Sequence, residues 1–291
     1  MYRLLKPSAF LRAAIRAGFR KAPAPVELPG CFGKKGLVQP RRFERMDFYL
    51  NLTLQDFPDR LAMPKWRERL RVSGLENIQP ARQNKRPVIF AATHLGPFYL
   101  GLYWLRALDL PVATLFGGKS GKEPFLKRLK DRRSPLPHLP ITFYRDQLRE
   151  AAEFLDAGNW LAMMIDFPSG KQMSAPVCDD WIFQMATGAI RLAVRHQAEL
   201  VPLSIASEGN WRFRLIMGRP VPRELLAQGS DPTRAGAHLI AELLPVFEKY
   251  PEQCPPHLLN RFQKKTPTSA EEIISESADQ PASAMEDLLN R

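Results

Sequence analysis

Short apolar runs alternate with helical stretches along the middle of this chain, and that alternation restricts the fold more than any other feature. Residues 88–93 (VIFAAT) form an apolar run long enough for a buried strand, directly after the polar stretch 83–86. A helix is expected at 96–107, a second strand at 111–116 and a third at 139–143. The helix from about Asp146 to Ala157 is the clearest. There Leu148, Ala151, Ala152 and Leu155 fall at i, i+3, i+4 and i+7, and Gly158 is a natural stop. Residues 160–165 supply a fourth strand that ends at Asp166. A helix at 185–195 precedes a strand at 200–206, and residues 211–217 are expected beside it as an antiparallel edge. Asp231-Pro232 opens a last helix, with Asp as N-cap and Pro at N1, and with Leu239, Leu243 and Phe247 on its buried face. Strands and helices in this order predict an α/β fold: a mostly parallel central sheet flanked by helices.

The rest of the chain divides around that body. Residues 1–40 combine a basic amphipathic helix with a Pro/Gly-rich linker. In the helix Leu11, Ile15 and Phe19 recur every four residues, while Arg12, Arg16 and Arg20 form a basic stripe. Such a helix suits an anionic membrane surface, its apolar side among acyl chains and its arginines on phosphates; docking on the domain with the arginines in water is the other reading. Residues 41–265 form the α/β domain, and its first part, 41–75, reads as helical with a break at Phe57-Pro58-Asp59. Residues 266–291 hold six acids against one arginine and few large apolar groups, so this acidic tail is expected to be disordered.

Composition excludes several classes. Twenty-seven prolines argue against a helical bundle. Cys31, Cys178 and Cys254 form no CxxC, so neither a zinc site nor a disulfide framework is expected, and a reducing cytoplasmic compartment fits. No apolar run approaches the ~18 residues of a spanning helix. The formal charge of +12 favours an anionic partner. Nucleic acid is not expected, because the basic groups are not interleaved with aromatics and no recognised motif is present. Residues 117–122 (GGKSGK) lack the phosphate-loop spacing, and no serine lies in a G-x-S-x-G elbow.

The residue best placed for chemistry is His94, just after the first strong strand, in the order Thr93-His94-Leu95-Gly96-Pro97-Phe98-Tyr99. In an open parallel sheet, sites gather where strands end. An imidazole there, with Gly96 giving close access, is suited to take a proton from a hydroxyl near neutral pH. Asp166, at another strand end, opens Asp166-Phe-Pro-Ser-Gly170, which is expected either to shape a pocket wall with Asp166 turned toward His94 or to be a capped turn after the strand. Lys127, Arg132 and Arg133 belong to a basic segment after the second strand and are candidate ligands of a phosphate or an acidic carrier; a solvated basic face is the alternative. Phe98 is a candidate for lining an acyl channel, with core packing the other reading.

These features, in this order, resemble the lipid A lauroyl/myristoyl branch of the lysophospholipid acyltransferases. The family carries a histidine followed five positions later by Asp or Glu, and the surroundings of His94 resemble its H-x-G-x-x-E form. Asn51-Leu and Phe57-Pro58, the arginines 132 and 133, Leu155-Asp-Ala-Gly158 with Ile165-Asp166, and residues 187–193 with 198–202 resemble further family segments. The resemblance covers about residues 43–255. It implies transfer of a fatty acyl group from an acyl carrier protein or coenzyme A thioester to a hydroxyl of a lipid or other small acceptor. His94 would be the general base, with no cofactor, metal or covalent enzyme intermediate. The enzyme would be bacterial and cytoplasmic, peripheral on the inner face of the cytoplasmic membrane.

One position departs from the pattern: Tyr99 stands where the family has its acid. A phenol carries no negative charge near neutral pH, although it can accept a hydrogen bond and fix the imidazole. Three readings remain open. A distant acid substitutes, with Asp166 first and Asp179 or Asp180 behind it; His94 acts without an acid; or catalysis is lost and a silent acyltransferase-fold protein binds lipid or acyl carrier protein.

Overall fold

The computed structural model describes residues 26–27, 37–38, 67–116, 141–167, 170–178, 180–209 and 212–265. The amphipathic helix, the basic segment with Lys127, Arg132 and Arg133, Asp179 and the acidic tail lie outside them. Strands β1 (Val26–Glu27) and β2 (Leu37–Val38) form a small antiparallel pair. The body is built from β3 (Leu70–Ser73), α1 (Gln79–Gln83), β4 (Val88–Ala92), α2 (Phe98–Ala107), β5 (Val112–Phe116), β6 (Ile141–Tyr144), α3 (Leu148–Asp156), β7 (Trp160–Met164), β8 (Gln172–Cys178), β9 (Trp181–Ala186), α4 (Gly188–Arg195), β10 (Glu199–Ser207), β11 (Phe213–Met217), α5 (Pro232–Lys249), α6 (Pro256–Leu259) and β12 (Phe262–Lys264).

Seven strands form the main sheet in the order β3-β11-β10-β4-β7-β5-β6. All neighbours are parallel except β10 and β11. β4 sits at the centre, and every one of its five residues is buried. Its side chains divide by the period of two that a strand imposes. Val88, Phe90 and Ala92 join the core beneath α2, with Leu100, Trp104 and Phe213. Ile89 and Ala91 join the core on the opposite face, with Leu155, Ile190, Leu239 and Phe247 from α3, α4 and α5. A sheet covered on both faces explains why this strand reads as an unbroken apolar run rather than an alternating one. Trp104, Trp160, Phe90 and Phe247 are fully buried, each contributing about 1.5–3 kcal/mol by removal from water.

Local signals hold where their partners are local. The carbonyls of Leu155 and Phe154 accept from the N–H groups of Gly158 and Asn159, and Gly158 takes φ 79°, so the end of α3 lies where the glycine places it. Asp231 caps α5, accepting from Thr233 N–H at 2.9 Å, with Pro232 as the first helical residue.

Four features differ from expectation. Residues 70–73, expected in a helix, form β3, because Leu70–Ser73 gain a parallel ladder with β11. β11 is antiparallel to β10 but is not an edge, since β3 lies outside it. The helix expected from Met185 begins at Gly188: Met185 and Ala186 belong to β9, where Met185 pairs with Met173 of β8. The fourth, the β8–β9 hairpin, belongs to a separate three-stranded sheet, β12-β9-β8, that was not anticipated. It anchors the chain after α5: Phe262 packs on Phe183 at 4.8 Å and on Phe247 at 6.1 Å between ring centres.

Candidate active site

Sheet register brings the two central side chains together. β4 and β7 run parallel with Ala92 beside Met164, and Ile165 N–H continues the ladder to Ala92 C=O at 2.9 Å. His94 and Asp166 each lie two residues beyond that pair. Neighbouring strands are about 4.8 Å apart, so residues two steps past a matched pair are within side-chain reach. Asp166 Oδ1 lies 2.7 Å from His94 Nδ1, and Asp166 Oδ2 accepts the His94 backbone N–H at 2.9 Å. An ionised carboxylate has no proton to give, so in a neutral ring paired with one, Nδ1 carries the proton and the lone pair is on Nε2.

The rest of the chain holds this pair in place. The Asp166 side chain is fully buried, whereas the His94 side chain keeps 17% exposure. Arg261 Nε donates to the Asp166 backbone carbonyl at 3.0 Å and its Nη1 to Gln172 Oε1 at 3.0 Å. Gly96 adopts φ 54°, and its N–H donates to Gln253 C=O at 3.0 Å. A Cβ at Gly96 would stand 2.6 Å from Ile205 O and 2.8 Å from Gln253 Oε1, so this turn requires glycine. Gln253 in turn closes on the end of β10: its Oε1 accepts from Ser207 N–H and its Nε2 donates to Ser207 C=O, both at 2.8 Å.

Aromatic rings surround the imidazole. Phe98 meets it edge-on at 4.5 Å, and Phe167 lies 5.9 Å away. Phe167, half exposed, is the exposed large hydrophobic residue among the described ones. Tyr103 and Trp104 are packed into the core under α2. Phe98 also borders a pocket with Ala92, Leu102, Met164 and Ile205, whose volume of about 20 Å³ is room for one water and not for a fatty chain.

Tyr99 lies in the first turn of α2. Asp180 is exposed at the turn between β8 and β9. Three residues that sequence reasoning passed over belong to the site: Gln253, His257 and Arg261. His257 Nε2 lies 4.0 Å from Asp166 Oδ2, and its ring stands 4.9 Å from that of His94 at 78°. Partial burial, then the neighbouring His94, lower the His257 pKa from its ordinary value; Asp166 pulls the other way and Arg261 adds to the lowering. No motif marks these three residues, because they come from the segment that β12 and α6 fold back onto the body. Cys254 is buried close by, and burial, helped by Glu252 and Asp166, pushes its thiol well above the ordinary range. It is therefore no candidate for a covalent acyl carrier, which needs a thiolate.

The arrangement is an imidazole held at Nδ1 by a buried carboxylate, a geometry that can serve a general base. Comparison with known proteins adds a family. The sequence model for bacterial lipid A biosynthesis acyltransferases matches residues 50–262, which span both strand ends and the returning C-terminal segment. A search of curated proteins finds no match.

Proposed function

This chain belongs to the bacterial lipid A biosynthesis acyltransferase family, and from that premise we propose that it is an O-acyltransferase with His94 as general base and Asp166 in the role the family gives to the fifth residue after the histidine. The observation that carries the proposal is the 2.7 Å contact between His94 Nδ1 and a carboxylate shielded from water. His94 Nε2 takes the proton of an acceptor hydroxyl as its oxygen attacks the carbonyl of a fatty acyl thioester. The C–S bond breaks, and the proton passes from the imidazolium to the departing thiolate. Between those steps Asp166 stabilises the charged ring and keeps it in the orientation that presents Nε2. A positioned base of this kind accounts for about 10²–10⁴ in rate.

The donor is a thioester of acyl carrier protein or coenzyme A, and the acceptor a lipid or other small hydroxyl compound. Lys127, Arg132 and Arg133 supply the positive charge for a phosphate or an acidic carrier. The eleven Lys/Arg against two acids in residues 1–45 suit an anionic leaflet, on the cytoplasmic face where acyl thioesters are made. Among the described residues no helix is long and apolar enough to cross a membrane.

The test is acyl transfer from a labelled acyl carrier protein to a mixed lipid extract, run with wild type, His94→Ala and Asp166→Asn. Product from wild type that falls in both variants supports the proposal. No product from wild type, with measurable thioester binding, moves the assignment to a silent acyltransferase-fold binder. Full activity in Asp166→Asn removes the role given to Asp166.

A further inference from the structure

Acyl transfer as described makes no use of His257, yet this ring stands over the same carboxylate as His94. One nitrogen from each imidazole and one oxygen of Asp166 all lie within 4.8 Å of one another. We propose that His94, Asp166 and His257 form a binding site for a divalent transition-metal ion of the Zn²⁺ type, and that the ion inhibits acyl transfer. The inhibitory half rests on His94 acting as base; the binding half does not.

The donor set selects the ion. Two imidazoles and one carboxylate suit Zn²⁺, Co²⁺ or Fe²⁺, whereas Mg²⁺ and Ca²⁺ prefer oxygen alone and Cu⁺ prefers sulfur. Around a tetrahedral ion with bonds of about 2.0–2.2 Å, ligand atoms stand about 3.3–3.5 Å apart. The contacts here are 2.7 Å between His94 Nδ1 and Asp166 Oδ1 and 4.0 Å between His257 Nε2 and the other carboxylate oxygen, Oδ2, and one ligand atom from each residue lies within 4.8 Å of the other two. Shifts of about 1–1.5 Å would therefore satisfy an ion. Asp166 supplies a negative charge screened from water, where attraction for a cation is strongest. His257, with 49% of its side chain exposed, gives the ion a way in from solvent and leaves a fourth position open to water.

Inhibition follows from the lone pairs. In the metal-free site Nδ1–H faces Asp166 and Nε2 is the base. An ion on Nδ1 displaces the proton to Nε2, and an ion on Nε2 takes the lone pair directly; either way His94 accepts no proton from a hydroxyl.

The experiment uses the full chain, stripped with a chelator and titrated with Zn²⁺ against a chromophoric competitor, then with Co²⁺ while the visible d–d bands are followed. Wild type is expected to bind one equivalent, with tetrahedral Co²⁺ bands. His257→Ala, and separately Asp166→Asn, should weaken that equivalent at least tenfold and abolish the bands, with thermal melts confirming that each variant is folded. Binding unchanged in His257→Ala, or no binding in wild type up to millimolar Zn²⁺, overturns the site. In the transfer assay Zn²⁺ should inhibit wild type and lose at least tenfold potency against His257→Ala. Binding without inhibition overturns the inhibitory half and counts against His94 as base. If the chain transfers no acyl group at all, the proposed activity fails while the titrations still decide the metal site.

Discussion

Both oxygens of Asp166 are committed to His94, one to the ring Nδ1 and the other to the backbone N–H of the same residue. The carboxylate therefore fixes the position of the residue as well as the direction of its ring. Removing its charge is expected to cost kcat far more than substrate binding. Asp166→Asn keeps the shape but offers an amide in place of one oxygen, which favours the wrong tautomer. The expected fall in kcat is on the order of 10²–10⁴, measured at saturating thioester with a melting curve to confirm folding.

Tyr99 stands five positions after His94, where the sequence resemblance leads one to expect an acid. With Nδ1 already held by Asp166, the phenol has little left to contribute at that nitrogen. Tyr99→Phe is expected to keep kcat within a few-fold of wild type, in contrast to Asp166→Asn. Equal losses in the two variants would show that the phenol and the carboxylate share the task.

Gly96 and Gly209 separate backbone strain from steric contact. Both have positive φ, 54° and 76°, but an added Cβ at Gly209 meets nothing within 4 Å, whereas at Gly96 it meets Ile205 O at 2.6 Å. Gly209→Ala is expected to cost about 1 kcal/mol, the penalty of a left-handed conformation alone. Gly96→Ala is expected to cost roughly 2–3 kcal/mol, because the turn must also shift. Urea unfolding of the two variants checks the order.

Gln253 ties the returning segment to the end of β10 through two hydrogen bonds to Ser207. Gln253→Ala leaves a partly buried N–H and C=O without those partners, at about 1–3 kcal/mol. The same variant should lower activity beyond its loss of stability, since Gln253 also carries the carbonyl that holds Gly96. Gln253→Glu, which keeps the acceptor, should recover part of both.

Glu208 is expected to contribute to the acid limb of stability. Burial by itself would raise its pKa, but the Arg214 hydrogen bond at 2.6 Å and the charges of Arg214 and Arg71 hold it below the ordinary carboxylate value. A folded pKa below the unfolded one gives stability that is present above the unfolded value and is lost as pH falls through the folded one. Glu208→Gln should accordingly lose less stability than wild type between about pH 5 and pH 3. Chemical denaturation at a series of pH values measures the difference; parallel curves would remove Glu208 from the account.

What the sequence by itself determined is the set of features whose causes are local. The apolar run at β4, the i, i+3, i+4, i+7 spacing of α3 with Gly158 behind it, and the Asp231-Pro232 start of α5 each carry their signal within a few residues. Those signals, in order, were enough to give the α/β class and to place His94 at a strand end. Tertiary structure decided the rest, because the deciding contacts join distant segments. Leu70–Ser73 became a strand only through β11, and Met185 only through the hairpin to Met173. Sequence inspection could propose Asp166 as a stand-in acid but could not measure its reach, since 72 residues separate it from His94 and the parallel register of β4 and β7 sets the distance. His257 carried no signal at all. It reaches the carboxylate because Phe262 is buried against Phe183 and Phe247, and that packing folds the C-terminal segment back across the mouth of the sheet.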